Sequence, residues 1–250
     1  METWFYTIVS VFLVSLISLV GIFTLSLNKD RLRKILIFLV SFAVGGLFGD
    51  ALIHLVPESF ERLGSNLITS ICIISGILIF FSLEKFLRWQ HCHIPGDHLH
   101  PVVSLNLVGD GMHNLIDGMI IAASFCVSIP IGITTTLAVI LHEIPQEIGD
   151  FGILVSGGLT IRKALLFNFL SALLAMVGAI LALIIGPYIK DFYLYLLPIT
   201  AGGFLYIAGS DLIPELQHGS DVRLSTSLWQ FLFIVFGIAV MASLIVLDKT

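Results

Sequence analysis

Two short stretches of the sequence concentrate the groups able to do chemistry. Asp110, His113, Asn114 and Asp117 lie close together, and so do His142, Glu143, Gln146, Glu147 and Asp150. Residues four apart on a helix share a face, with Cβ atoms about 5–6 Å apart. His113 and Asp117 therefore form one pair, and His142 and Gln146 form another. If those faces meet, two imidazoles, a carboxylate and an amide oxygen converge. Asn114 and Glu143, each one residue on and turned by about 100°, could build an adjoining second site. Imidazole with carboxylate suits zinc, iron or manganese better than calcium or magnesium, which prefer oxygen shells. The cysteines, Cys72, Cys92 and Cys126, fall outside both stretches, so thiolate selection of a soft metal is not expected.

The charge balance sharpens this reading. No Lys or Arg occurs between Arg88 and Arg162, yet the two stretches hold five carboxylates. A charged side chain at the centre of a bilayer costs about 2.5–3.5 kcal/mol, so five unpaired acids would cost on the order of 12–17 kcal/mol. Protonation, water or a cation must relieve that cost, and a cation is the sharpest answer. One competing reading is that the polar groups only knit helices together, but nine of them in two adjacent segments without a basic partner weigh against it. A second is an intramembrane hydrolase. His142-Glu143-Ile144-Pro145-Gln146 looks like the zinc-protease pattern H-E-x-x-H, with Glu143 activating a metal-bound water. Here Gln146 stands where the second His belongs, and Pro145 disturbs the intervening turn.

The elements that must position these residues are membrane helices. Of the 250 residues 57% are hydrophobic and 12% charged, with a mean hydropathy of +1.05. Soluble domains are usually about 25% charged. The composition excludes a disulfide scaffold, a nucleic-acid binder and a disordered chain. Eight apolar runs reach the roughly 20 residues needed to span a bilayer: about 4–27, 35–56, 65–83, 102–128, 131–157, 164–188, 193–214 and 227–247. The first is too long for a signal-peptide core and reads as a retained helix. The expected fold is an all-α membrane protein of eight transmembrane helices in a single domain over residues 1–250. Lys29, Arg31, Arg33, Lys34, Lys85, Arg88, Arg162, Lys163 and Arg223 share one side in this scheme, nine of the twelve basic residues. By the positive-inside rule that side is cytoplasmic and both termini lie outside.

An internal repeat appears at an offset of 157, where residues 45–58 and 202–215 are identical at six of 14 positions. The two copies fall in spans 2 and 7, which must cross in opposite directions. Inverted repeats typify secondary transporters, and a 3+2+3 arrangement would leave spans 4 and 5 at the centre.

His113-Asn114-Leu115-Ile116-Asp117-Gly118 and His142-Glu143-Ile144-Pro145-Gln146-Glu147-Ile148-Gly149-Asp150 resemble the signature helices of the ZIP family of divalent-metal transporters. The resemblance covers most of the chain. It implies transport of zinc, and in some members iron, manganese or cadmium, towards the cytoplasm by alternating access, with spans 1, 4, 5 and 6 sliding against the rest. It also implies a homodimer. By position, His113, Asp117, His142 and Gln146 match one metal site, and Asn114 and Glu143 match the other. The closest family pattern has His, and others Glu, at the position of Gln146. Span 6 often supplies a polar ligand, for which Asn168 is the nearest candidate, with Ser171 behind it.

Asp110, Glu147 and Asp150 lie on the cytoplasmic side of the histidines and read as an acidic way out, Glu147 counting among the metal ligands. His54 and Glu58 read as intake residues near the outer end of span 2. The segment 84–101, a cytoplasmic loop in this scheme, carries His91, His93, His98 and His100, a spacing that suits weak zinc binding. The expected location is the plasma membrane, or else an organelle membrane.

Overall fold

The computed structural model describes residues 2–24, 29–92, 100–189, 191–218 and 224–245, which are helical almost throughout. Eight helical rods follow one another among them. α1 (residues 2–24) runs through Glu2–Ile17, a 3-10 turn and Gly21–Thr24; α2 (residues 29–63) joins Lys29–Gly49 to Val56–Leu63. α3 is Leu67–Cys92, α4 His100–Val127 and α5 Ile129–Ser156. α6 (residues 161–188) consists of Ile161–Ala172 and Leu174–Ile185 with a closing 3-10 turn, α7 (residues 192–218) joins Phe192–Tyr206 to Ile213–His218, and α8 is Leu224–Ser243.

Among the described residues, five stretches are long and apolar enough to cross a membrane: Glu2–Phe23, Ile35–Leu63, Ile161–Tyr188, Phe192–Ser210 and Ser225–Ser243. α3 adds the shorter apolar stretch Leu67–Ser82. The pattern is inverted relative to a soluble protein. Leu228, Trp229, Phe231 and Phe236 on α8 and Leu67, Ile68 and Ile74 on α3 face outward, while Asp110, Asp117, His142, Glu143 and Glu147 are buried. Such a surface is stable only against an apolar solvent.

Local sequence explains the helix ends and their one recurrent irregularity. α5 starts at Ser128, whose Oγ accepts a bond from the Ile131 N–H, with Pro130 in the first turn. α6 starts likewise at Thr160, whose side chain accepts from the Lys163 N–H. Both side chains satisfy amides that have no partner within the helix. α2 and α7 each widen into one π-helical segment, Asp50–Leu55 and Ile207–Leu212. In each, the bond closing the segment skips five residues, from the Val56 N–H to the Ala51 carbonyl and from the Ile213 N–H to the Ala208 carbonyl. A proline follows at the same place, Pro57 and Pro214. Its ring cannot donate and crowds the carbonyl four residues back, so the helix opens by one residue there.

Small residues set which rods touch closely. A Cβ added at Gly118 of α4 would lie 1.8 Å from the Ala175 carbonyl oxygen of α6, and one at Gly178 of α6 would lie 1.9 Å from the Leu115 oxygen of α4. Only glycine permits that mutual approach. Gly45 and Gly237 join α2 to α8 in the same way, and Gly76 and Gly202 join α3 to α7. α5 lies along α4 and also meets α1 and α2.

Candidate metal centre

α4 and α5 bring His113, Asp117, His142 and Glu143 together, one ligand atom of each lying within 4.8 Å of all the others. The two Nε2 atoms are 3.2 Å apart. Asp117 Oδ2 is 3.2 Å from His142 Nε2 and 3.6 Å from His113 Nε2. Glu143 Oε1 is 3.5 Å from His113 Nε2 and 3.7 Å from His142 Nε2. These five edges average about 3.4 Å, and a regular tetrahedron of that edge has its centre about 2.1 Å from each corner, the length of zinc–nitrogen and zinc–oxygen bonds.

The donor set fits an ion for a second reason. Among the described residues, no hydrogen bond of good geometry reaches the four carboxylate oxygens of Asp117 and Glu143, and the two residues are 0% and 1% exposed. A buried, unsolvated carboxylate is costly unless a positive charge faces it. His142 is oriented by its other nitrogen: Nδ1 lies 3.1 Å from the Ala138 carbonyl. Donation to that carbonyl places the proton on Nδ1 and leaves the Nε2 lone pair free for a metal. Phe80 of α3 stands edge-on to His113 and Phe204 of α7 edge-on to His142, with ring centroids 6.2 and 6.0 Å away. His113, with 19% of its side chain exposed, is the only opening among the four.

A second group, Asp110, Glu147 and Asp150, meets the same distance limit. Neutral donors hold two of its acids. Asn114 Nδ2 donates to Asp110 Oδ1 at 2.8 Å, the Ser171 hydroxyl donates to Asp110 Oδ2, and Asn168 Nδ2 donates to Glu147 Oε2.

Compared with the spacing argument, the structure adds Glu143 to the two histidines and Asp117. Gln146 lies near Asp110. Asn114 Nδ2 turns to Asp110, while its Oδ1 is buried without a hydrogen-bond partner among the described residues. Which of two adjacent helical faces points inward depends on the roll of each rod, which spacing alone leaves open. His54 is 3% exposed, with Nε2 2.9 Å from the Met241 carbonyl of α8. Glu58 pairs with Arg62 one turn along. The expected loop ligands His93 and His98 lie outside the described residues, and His91 and His100 are described only as helical backbone. Phe80 and Phe204 were not foreseen, because nothing marks two phenylalanines among 19 in an apolar chain.

Among the described residues, an apolar helical bundle marks a multi-pass membrane protein, and its buried imidazole–carboxylate tetrad could hold a metal ion. The family model described as ZIP zinc transporter matches residues 1–101 and 90–245, and the chain belongs to the ZIP family, a family of transporters and not of enzymes. It is 32% identical to the zinc transporter YKE4 of Saccharomyces cerevisiae, across 86% of this chain and 72% of that protein. It is 31% identical to zinc transporter zipt-7.1 of Caenorhabditis briggsae, across 81% and 69%. Human zinc transporter ZIP10 is 37% identical over 62% of this chain, which spans about a fifth, 21%, of that longer relative.

Proposed function

We propose that the protein carries zinc across the membrane towards the cytoplasm, binding it at His113, Asp117, His142 and Glu143 between α4 and α5. The observation that carries this reading is the tetrad itself, whose edges leave room for a metal at bonding distance from two imidazole nitrogens and two otherwise unpartnered carboxylates. The zinc-transporter relatives support the choice of metal, with iron, manganese and cadmium as further candidate cargoes. Asn114, Gln146, Glu147 and Asn168 complete a binuclear centre in this reading, with Asp110 and Asp150 leading to the cytoplasm. The hydrolase alternative is not favoured, since the family is one of transporters.

All eight rods cross the bilayer in this account, with both termini outside and α1–α3 and α6–α8 as inverted repeats around α4 and α5. Support comes from the two π segments, which lie 157 residues apart at the offset of the sequence repeat. The site is exposed to each side in turn as α1, α4, α5 and α6 move against the other four rods. The resemblance adds a homodimer, and the proposed location is the plasma membrane, with an organelle membrane as the alternative.

The test is zinc uptake into proteoliposomes. Saturable uptake is expected, falling at least about 100-fold in His113→Ala and in His142→Ala, beyond the effect of losing an outer-shell partner. Uptake that survives both substitutions removes these ligands from the mechanism.

A further inference from the structure

Where α2, α4 and α6 finish and α7 begins, the rods enclose a cavity of about 340 Å³, within the range of about 300–1,000 Å³ usual for small-molecule sites. Cys126 on its wall lies nine residues beyond Asp117, about 14 Å along α4, so the cavity is separate from the tetrad. Opposite charges share the lining with apolar surface: Arg62 and Asp191 stand with Cys126, Tyr193, Phe192 and Leu194. Asp191 occupies the N-cap of α7, yet its side chain caps no amide, and its φ of 58° is a left-handed conformation. The Tyr193 hydroxyl donates to the Ala182 carbonyl at 3.0 Å, which leaves its oxygen able to accept from an incoming donor. Arg62 pairs with Glu58 and reaches across from α2 to the Val127 carbonyl of α4 at 3.4 Å. Those contacts use two of the five donors that a guanidinium carries.

We propose that this cavity binds the headgroup of an amine-bearing zwitterionic phospholipid, phosphatidylethanolamine. Arg62 takes the phosphate, Asp191 and the Tyr193 hydroxyl take the ammonium, and Phe192 and Leu194 meet the apolar part. One cation and one anion on the same wall complement a zwitterion better than a simple anion or cation. The level is that of lipid headgroups, since Tyr188 and Tyr195, at the end of α6 and the start of α7, are both exposed beside the cavity, as in the aromatic belts of membrane proteins. A primary ammonium donates hydrogen bonds that a quaternary choline cannot, so the two acceptors discriminate between the two common zwitterionic headgroups. A bound headgroup joins α2 and α7 to α4 and α6, the two groups of rods proposed to move, and so holds the arrangement seen. That consequence rests on the transport reading, whereas the binding itself does not.

The experiment is native mass spectrometry of the full chain in detergent, titrated with phosphatidylethanolamine or with phosphatidylcholine of the same acyl chains. One phosphatidylethanolamine is expected to bind at least about 10-fold more tightly than phosphatidylcholine. Asp191→Asn puts in a residue that also tolerates the left-handed conformation and should erase that preference, while Arg62→Gln should weaken both lipids. In a Cys72→Ser, Cys92→Ser background, phosphatidylethanolamine should also slow labelling of Cys126 by a sulfonated thiol reagent, which locates the lipid in this cavity. Equal affinity for the two lipids, a preference that survives Asp191→Asn, or Cys126 labelling at the same rate with lipid bound would each overturn the proposal. Displacement by an equal concentration of soluble phosphoethanolamine would overturn the assignment to a lipid. The wild-type comparison decides the matter even if a variant does not fold. Zinc is left out throughout, so failure of zinc uptake with this lipid preference intact counts against the transport reading and not against the headgroup site.

Discussion

Gln146 is the residue at which this chain departs from the pattern it resembles. It lies near Asp110, and Glu143 completes the tetrad. Gln146→His would offer a third imidazole near the centre, and about 10-fold tighter zinc binding is expected by competition titration; unchanged affinity would mean that the position does not reach the metal. Binding also depends on proton balance, because a metal must displace protons from imidazole and carboxylate. Zinc affinity should fall as the solution is acidified, with proton release measurable by calorimetry in buffers of different ionisation heat. The convergence of His113, Asp117 and His142 was legible from four-residue spacing and the absence of basic partners. That Glu143 joins them was not, because it lies only about 60° around the helix from Gln146 and only packing decides which turns inward.

At the scale of elements, the repeat seen as six matching residues returns as matching backbone. Both copies widen into π-helix ahead of an equivalent proline, so the sequence contained the cause, although the form of the irregularity was not read from it. The glycines divide in a way the sequence did not show. Gly118 lies against the backbone of α6, whereas a Cβ at Gly149 or Gly152 would meet nothing within 4 Å. Gly118→Ala should therefore cost about 1–3 kcal/mol through overpacking, lowering the melting temperature by several degrees. Gly152→Ala should be neutral or stabilise by up to about 1 kcal/mol through helix propensity. Thermal unfolding of the two variants in one detergent checks the opposite signs, and equal effects would refute the packing assignment.

For the whole molecule, composition announced a membrane protein before any motif was considered, and positional charge supplied an expected orientation. What it withheld was pairing: α2 with α8, α3 with α7, and α4 with α5 and α6. That pairing leaves α2 against α5 as a boundary between the two groups of rods proposed to move. A Cβ built at Gly46 of α2 lies 3.8 Å from the Cβ of Leu141 of α5, within the range of about 3.5–4.5 Å for a disulfide. Gly46→Cys with Leu141→Cys should cross-link on oxidation and stop zinc uptake, with recovery on reduction. Uptake that continues across a complete cross-link would exclude sliding at this boundary.

The most direct test of the central claim is zinc X-ray absorption on the purified protein carrying one equivalent of metal. The tetrad predicts four ligands near 2.0–2.1 Å, two of them imidazoles by outer-shell scattering, and loss of that scattering in the His113→Ala, His142→Ala variant. A six-coordinate oxygen shell, or a spectrum unchanged when both histidines are removed, would contradict it.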